Sequence, residues 1–157
     1  MHIKHYAVAA ALATAAIPAG VFAAGAGASI ARETTAPAAV AAKAPTVALR
    51  STKHGKILVV GSSGLTLYLD ANDGKNKSNC TGSCASVWPP LTVSGKVTAG
   101  AGVSASKLGE IQRGHSHQVT YAGHPLYTFK SDTSAGQTSG EGVTSFYVVS
   151  PSGSAIK

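Results

Sequence analysis

Sliding the chain along itself by 59 residues superposes a run of features without a gap: Val60 on Val119, Gly64 on Gly123, Leu67 on Leu126, Tyr68 on Tyr127, Asp73 on Asp132, Ser86 on Ser145 and Trp88 on Tyr147. An ordered set of turn glycine, Leu-Tyr, aspartate and aromatic points to two copies of one unit, at about residues 55–94 and 114–153. Each unit reads as a hairpin, a loop opening near an aspartate, and an aromatic-bearing strand. A lone hairpin is only marginally stable in water, so the two copies are expected to share one core.

The segments themselves are β-like. "KILVV" (Lys56 to Val60) and "LTLYL" (Leu65 to Leu69) flank "GSSG", and "HQVTY" (His117 to Tyr121) and "PLYTF" (Pro125 to Phe129) flank "AGH". Both connections carry glycine where a tight turn needs positive φ. "TSFYVVS" (Thr144 to Ser150) reads as a late strand closed by Pro151 and Gly153. The one helical hint is "SASKLGEIQR" (Ser104 to Arg113), with Leu108 and Ile111 three apart. The expected fold is all-β: a compact sandwich or distorted barrel of two pseudo-repeats, with about six to eight short strands and at most one short helix.

Residues 1–26 read as a signal peptide, with Lys4 before an apolar, alanine-rich run and small residues at the expected cleavage window. Pro18 and Gly20 interrupt that run, which is short for a membrane span. No cysteine lies near the window, so a secreted protein without a lipid anchor is expected. Residues 27–53 are rich in Ala, Pro and Thr and read as a flexible spacer, although Val47 to Leu49 could add a first strand; 54–157 form the β domain. The formal charge is +7, but the basic residues are scattered without a dense stripe, which argues against nucleic acid as a partner. A cell-envelope polymer or a surface protein is the expected partner.

Export decides how Cys80 and Cys84 are read. In an exported small domain two cysteines are expected to form a disulfide, with a redox couple or a metal pair as the alternatives. Closing so short a loop, the bridge would act locally and seat Trp88, with Pro89 and Pro90 holding the exit extended. His115, His117 and His124 are the only transition-metal candidates; surface histidines are the plainer reading, and no cofactor is expected. "DANDGKNKS" (Asp70 to Ser78) lacks the spacing of a calcium loop and carries Lys75 and Lys77. Tyr68 and Asp73, and likewise Tyr127, Phe129 and Asp132, either tie loops back to the sheet or line a ligand groove. No phosphate loop, nucleophile elbow or zinc-protease helix is present, so no catalytic residue is assigned.

Tandem Tyr-x-(aromatic)-x-x-Asp, with Cys-x-x-x-Cys and Trp-Pro-Pro after the first copy, resembles the bacterial family of secreted repeats of unknown function, predicted lipoproteins with a Yx(FWY)xxD motif. Tyr127, Phe129 and Asp132 fit it in full, whereas the first copy keeps Tyr68 and Asp73 but has Asp70 at the aromatic position. The resemblance covers about Lys56 to Gly153 and implies secretion without implying an activity. The expected function is that of a secreted, non-enzymatic, envelope-associated repeat domain with a binding or structural role. One rival is an extracytoplasmic redox or metal-handling factor using Cys80, Cys84 and the three histidines; a second is a glycan-acting enzyme using Asp73 and Asp132.

Overall fold

The structure, a computed structural model, describes residues 46–157; the expected signal peptide and most of the expected spacer lie outside them. Eight strands and one short helix follow in the order β1 (Val47–Thr52), β2 (Gly55–Val60), β3 (Tyr68–Asp70), α1 (Ser83–Val87), β4 (Thr92–Val93), β5 (Leu108–Arg113), β6 (Ser116–Tyr121), β7 (His124–Pro125) and β8 (Phe146–Val148). β1 pairs with β2, β3 with β8, and β6 lies between β4 and β5 with β7 against its end; all these pairs are antiparallel. The fold is all-β, and its sheets stay open rather than closing into a barrel.

The apolar runs of the sequence are buried on both faces, which explains why they do not alternate with polar residues. Leu58, Leu67, Leu69, Val119, Leu126 and Val149 belong to one cluster. Their chain neighbours Ile57, Val59, Tyr68, Tyr127 and Val148 belong to a second, built around Trp88 and Phe146. Successive side chains of a strand point to opposite sides, so a strand with a core on each side needs apolar residues throughout.

The two copies are not side by side; they exchange strands. In the first copy Leu67 N–H donates to the Leu58 carbonyl, and Val149, from the second copy, closes the ladder through Leu58 N–H to Val149 O (2.8 Å). In the second copy Leu126 N–H donates to Val119 O, and Leu91, from the first copy, accepts from Val119 N–H (2.8 Å). At the centre Tyr68 and Tyr127 form a reciprocal backbone pair, with N–H to O distances of 2.8 and 3.0 Å. A residue bonded to its own repeat-mate in both directions marks a local pseudo-twofold axis.

This geometry corrects the gapless register. The offset of 59 holds from Gly64 and Gly123, both at positive φ, through Tyr68 and Tyr127 to Asp73 and Asp132. Leu58 matches Val119, an offset of 61, because the first turn is two residues longer. Tyr68 lies opposite Val148 while Tyr127 lies opposite Pro90, so the late strands match at an offset of 58. Trp88 is therefore the mate of Phe146, not of Tyr147, and Val60 the mate of Tyr121, not of Val119.

Two further expectations are corrected. Residues 47–52, assigned to the spacer, form β1, six residues in full register with β2 and with Val47 wholly buried. The partner that makes this segment a strand is "KILVV", so its own composition carried only a faint signal. In "SASKLGEIQR" the helix is a single 3-10 turn, Ala105–Lys107, and the rest is β5. Six pairs with β6, from Leu108 opposite Tyr121 to Arg113 opposite Ser116, override the helical spacing. Gly109 has poor helix propensity, and a Cβ there would come within 2.9 Å of the Thr120 hydroxyl, so the bare backbone suits the close strand pair.

Candidate functional site

The motif tyrosines and aspartates are brought together, but across the repeat boundary. Tyr68 donates its hydroxyl hydrogen to Oδ2 of Asp132 and Tyr127 donates to Oδ2 of Asp73, each at 2.6 Å. Each tyrosine thus bonds the aspartate of the other copy, as a twofold axis between the two requires. Oδ1 of Asp132 accepts from Ser139 N–H (3.0 Å) and Oδ1 of Asp73 from Asn79 N–H (2.6 Å), so each carboxylate also ties down the loop that follows it. These are charge-assisted bonds, shorter and stronger than neutral ones.

The surroundings of the two pairs differ. Over Tyr68 and Asp132 lies a sealed aromatic stack: Trp88 is parallel to Phe146 with centroids 3.9 Å apart, Phe129 lies 4.4 Å from Trp88, and Tyr68 meets Trp88 edge-on at 5.2 Å. Gly140 closes this lid; its N–H donates to the Tyr68 oxygen (3.3 Å), and a Cβ there would stand 2.6 Å from the Trp88 ring. Burial and the Asp132 carboxylate push the Tyr68 hydroxyl well above the usual phenol range.

Over Tyr127 and Asp73 the cover is polar. The Tyr127 proton is committed to Asp73, so Ser78 donates to the Tyr127 oxygen (2.6 Å) and accepts from Nη1 of Arg113 (2.7 Å). Burial first, and the Asp73 hydrogen bond second, push Tyr127 up to about 12. Burial also raises Asp73, against its bonds from Asn79 and Tyr127 and the more distant Arg113 charge.

Cys80 and Cys84 form a disulfide with Cα atoms 5.3 Å apart. The bridge closes the entry to α1, and the Cys84 carbonyl accepts from Trp88 N–H (2.8 Å), so the bridged turn sets where the tryptophan enters the core. Neither Pro89 nor Pro90 needs an N–H there: the Pro89 carbonyl accepts from Thr128 and Leu91 N–H donates to Leu126. Phe129 packs on Trp88, while Asp70, at the same position of the first copy, instead accepts from Ser145 Oγ (2.5 Å) and Asn72 N–H (2.9 Å).

The histidines are not assembled into a site. His115 is exposed in the turn after Arg113, His117 faces Glu110 at 3.8 Å, and His124 sits in β7 opposite Tyr121. Among the described residues no group of three or more His, Cys, Asp or Glu converges. No helix among them is long and apolar enough to cross a membrane.

Arg113, Gln118 and Ser78 were not singled out from the sequence. Gln118 is fully buried in "HQVTY" and its Nε2 donates to the Leu126 carbonyl (3.0 Å), while its Oε1 accepts from Arg113 (2.8 Å). A polar residue inside an otherwise apolar strand was the available signal.

The model of the secreted repeat of unknown function matches residues 49–92 and again 106–149, spanning the exchanged strands and all four crossed side chains. The chain belongs to this family of secreted repeats. As a secreted repeat, the protein works outside the cytoplasm, which is where a disulfide such as Cys80–Cys84 persists. No curated protein and no solved structure matches the chain.

Proposed function

We propose that the protein is a non-enzymatic, envelope-associated binding module, with its partner a cell-envelope polymer or a surface protein. The observation that carries this reading is the crossed pairing of Tyr68 with Asp132 and Tyr127 with Asp73. A general acid or base must reach a substrate proton, and these four groups reach each other instead. Their role is to lock one copy onto the other, leaving the loops and the outer strand edges to make contacts.

The excess of basic over acidic residues supports an anionic partner, since exposed charge steers association with surfaces of opposite sign. The test is retention of the exported protein on purified cell-wall material, followed through increasing salt. Salt-dependent retention without release of soluble fragments is the expected result. Release of wall fragments would instead identify an enzyme, and absence of retention at low salt would remove the binding reading.

A further inference from the structure

The two halves of the molecule differ where the 76–81 loop meets the β5–β6 hairpin. A recess of about 500 Å³ opens there, a size typical of small-molecule sites. By strand register Arg113 is the mate of Thr52, and Gln118 the mate of Ile57. In the first copy these positions are a small polar residue and a buried aliphatic one; in the second they are a guanidinium and the buried amide that holds it. A buried amide in place of isoleucine is unfavourable unless hydrogen-bonded, and here Arg113 and Leu126 bond it.

The guanidinium is fixed but not neutralised by direct contact. Nη1 donates to Ser78 Oγ (2.7 Å) and Gln118 Oε1 (2.8 Å), and Nη2 donates to the Cys80 carbonyl (2.5 Å); all three acceptors are uncharged. Asp73 stands behind Tyr127 and Ser78, and the one contact at salt-bridge distance among the described residues, His117 with Glu110, does not involve Arg113. Nε–H and the second Nη2–H have no partner among the described residues. These nitrogens share one edge of the planar fork, the edge that grips a carboxylate through two parallel bonds. Exposed Lys77 adds a second positive charge at the rim, Thr81 and Gln112 offer hydroxyl and amide groups, and Ile111 supplies an apolar wall.

A pre-placed cation, neutral hydrogen-bonding groups and a small apolar face together match a sugar ring that bears a carboxylate. We propose that this recess binds one acidic sugar unit of an envelope polymer, its carboxylate on Arg113 and Lys77 and its hydroxyls on Thr81 and Gln112. The proposal rests on the envelope-binding reading above and names its ligand class.

The experiment is a titration of the isotopically labelled full chain with D-glucuronate, followed by amide chemical shifts, with D-glucose and acetate as probes of the ring and the charge alone. Saturable shifts within residues 76–81 and 111–118 are expected for glucuronate, none for glucose, and binding about tenfold weaker for acetate. No shifts in that region, an equal response to glucose, or acetate binding as tightly as glucuronate would each overturn the proposal. Lys77→Glu, at an exposed position, should keep the fold and weaken glucuronate about fivefold; unchanged affinity would overturn it. Arg113→Lys, which keeps the charge but loses the fork, should weaken it about tenfold. Wall retention without a glucuronate response removes this inference and leaves the binding reading standing, whereas the reverse result removes the envelope reading and leaves the acidic-sugar site.

Discussion

The Tyr68–Asp132 and Tyr127–Asp73 pairs have the same chemistry and the same 2.6 Å length, yet one is sealed under aromatic rings and the other lies beneath Ser78 and Arg113. The shared part is what the twofold relation needs: a hydroxyl from one copy on a carboxylate of the other. The differing part is free to diverge, because only the inner side of each pair holds the copies together. A further contrast shows how the divergence is accommodated. Val148 is the mate of Pro90, and its N–H, which proline lacks, is taken up by Glu141 Oε2 at 2.6 Å. Each half thus satisfies its backbone by its own means.

The largest expected effect comes from separating the halves. Because Val149 completes the ladder of the first copy and Leu91 that of the second, residues 46–101 and 102–157 made apart should each lack a cooperative unfolding transition, and mixing them should restore one. Independent folding of either half, measured by circular dichroism, would show that the exchange is not needed for stability.

Trp88→Ala removes the ring that stacks between Phe146 and Phe129 and should cost about 3–5 kcal/mol in denaturant unfolding. A loss no larger than that of an exposed substitution would mean the lid is not what seals this side. Between the tyrosines, Tyr68→Phe should cost about 2–3 kcal/mol and Tyr127→Phe about 1 kcal/mol. Asp132 loses its partner in a site only 4% exposed, whereas the half-buried Asp73 can turn to Ser78 or to water. Equal costs would abolish the distinction between sealed and open pairs.

Cys80→Ser with Cys84→Ser should lower stability by about 2 kcal/mol, the loop-closure value for so short a ring. The loss should appear on both sides, since Cys84 O anchors Trp88 and Cys80 O anchors Arg113.

The last effect is alkaline. Tyr127 titrates at about 12 when folded and near its ordinary value of 10.0 when unfolded, so its contribution is complete below pH about 10 and fades as pH rises toward the folded value. By pH ~11 the loss from this group alone is on the order of 1 kcal/mol, and Tyr127→Phe should remove that part of the pH dependence. An unchanged alkaline profile in the variant would place the titration elsewhere.

Much of the secondary structure was legible because it depends on local chemistry. The turn glycines Gly64 and Gly123 and the apolar runs around them marked two hairpins, and both glycines adopt positive φ. The helical reading of Ser104–Arg113 failed because β6 supplies a six-pair ladder that no local window contains. β1 was nearly missed for the same reason, its partner lying across the turn. The match of Trp88 with Tyr147 failed because a gapless shift cannot register a one-residue difference in the later loop, just as that of Val60 with Val119 failed on a two-residue difference in turn length.

The sequence by itself determined that the protein is built of two copies of one β unit, that it belongs among secreted repeats, and that its two cysteines are close enough along the chain to form a bridge. Those properties follow from residue type and spacing, which a single chain displays in full. Only the tertiary structure decided that the copies trade strands, that each tyrosine bonds the other copy's aspartate, and that Arg113 rather than a histidine faces a recess. The physical reason is that a pairing within one copy and a pairing between copies use identical residues at identical spacing. Short turns and a core shared on both faces select between them, and these are properties of the packed molecule.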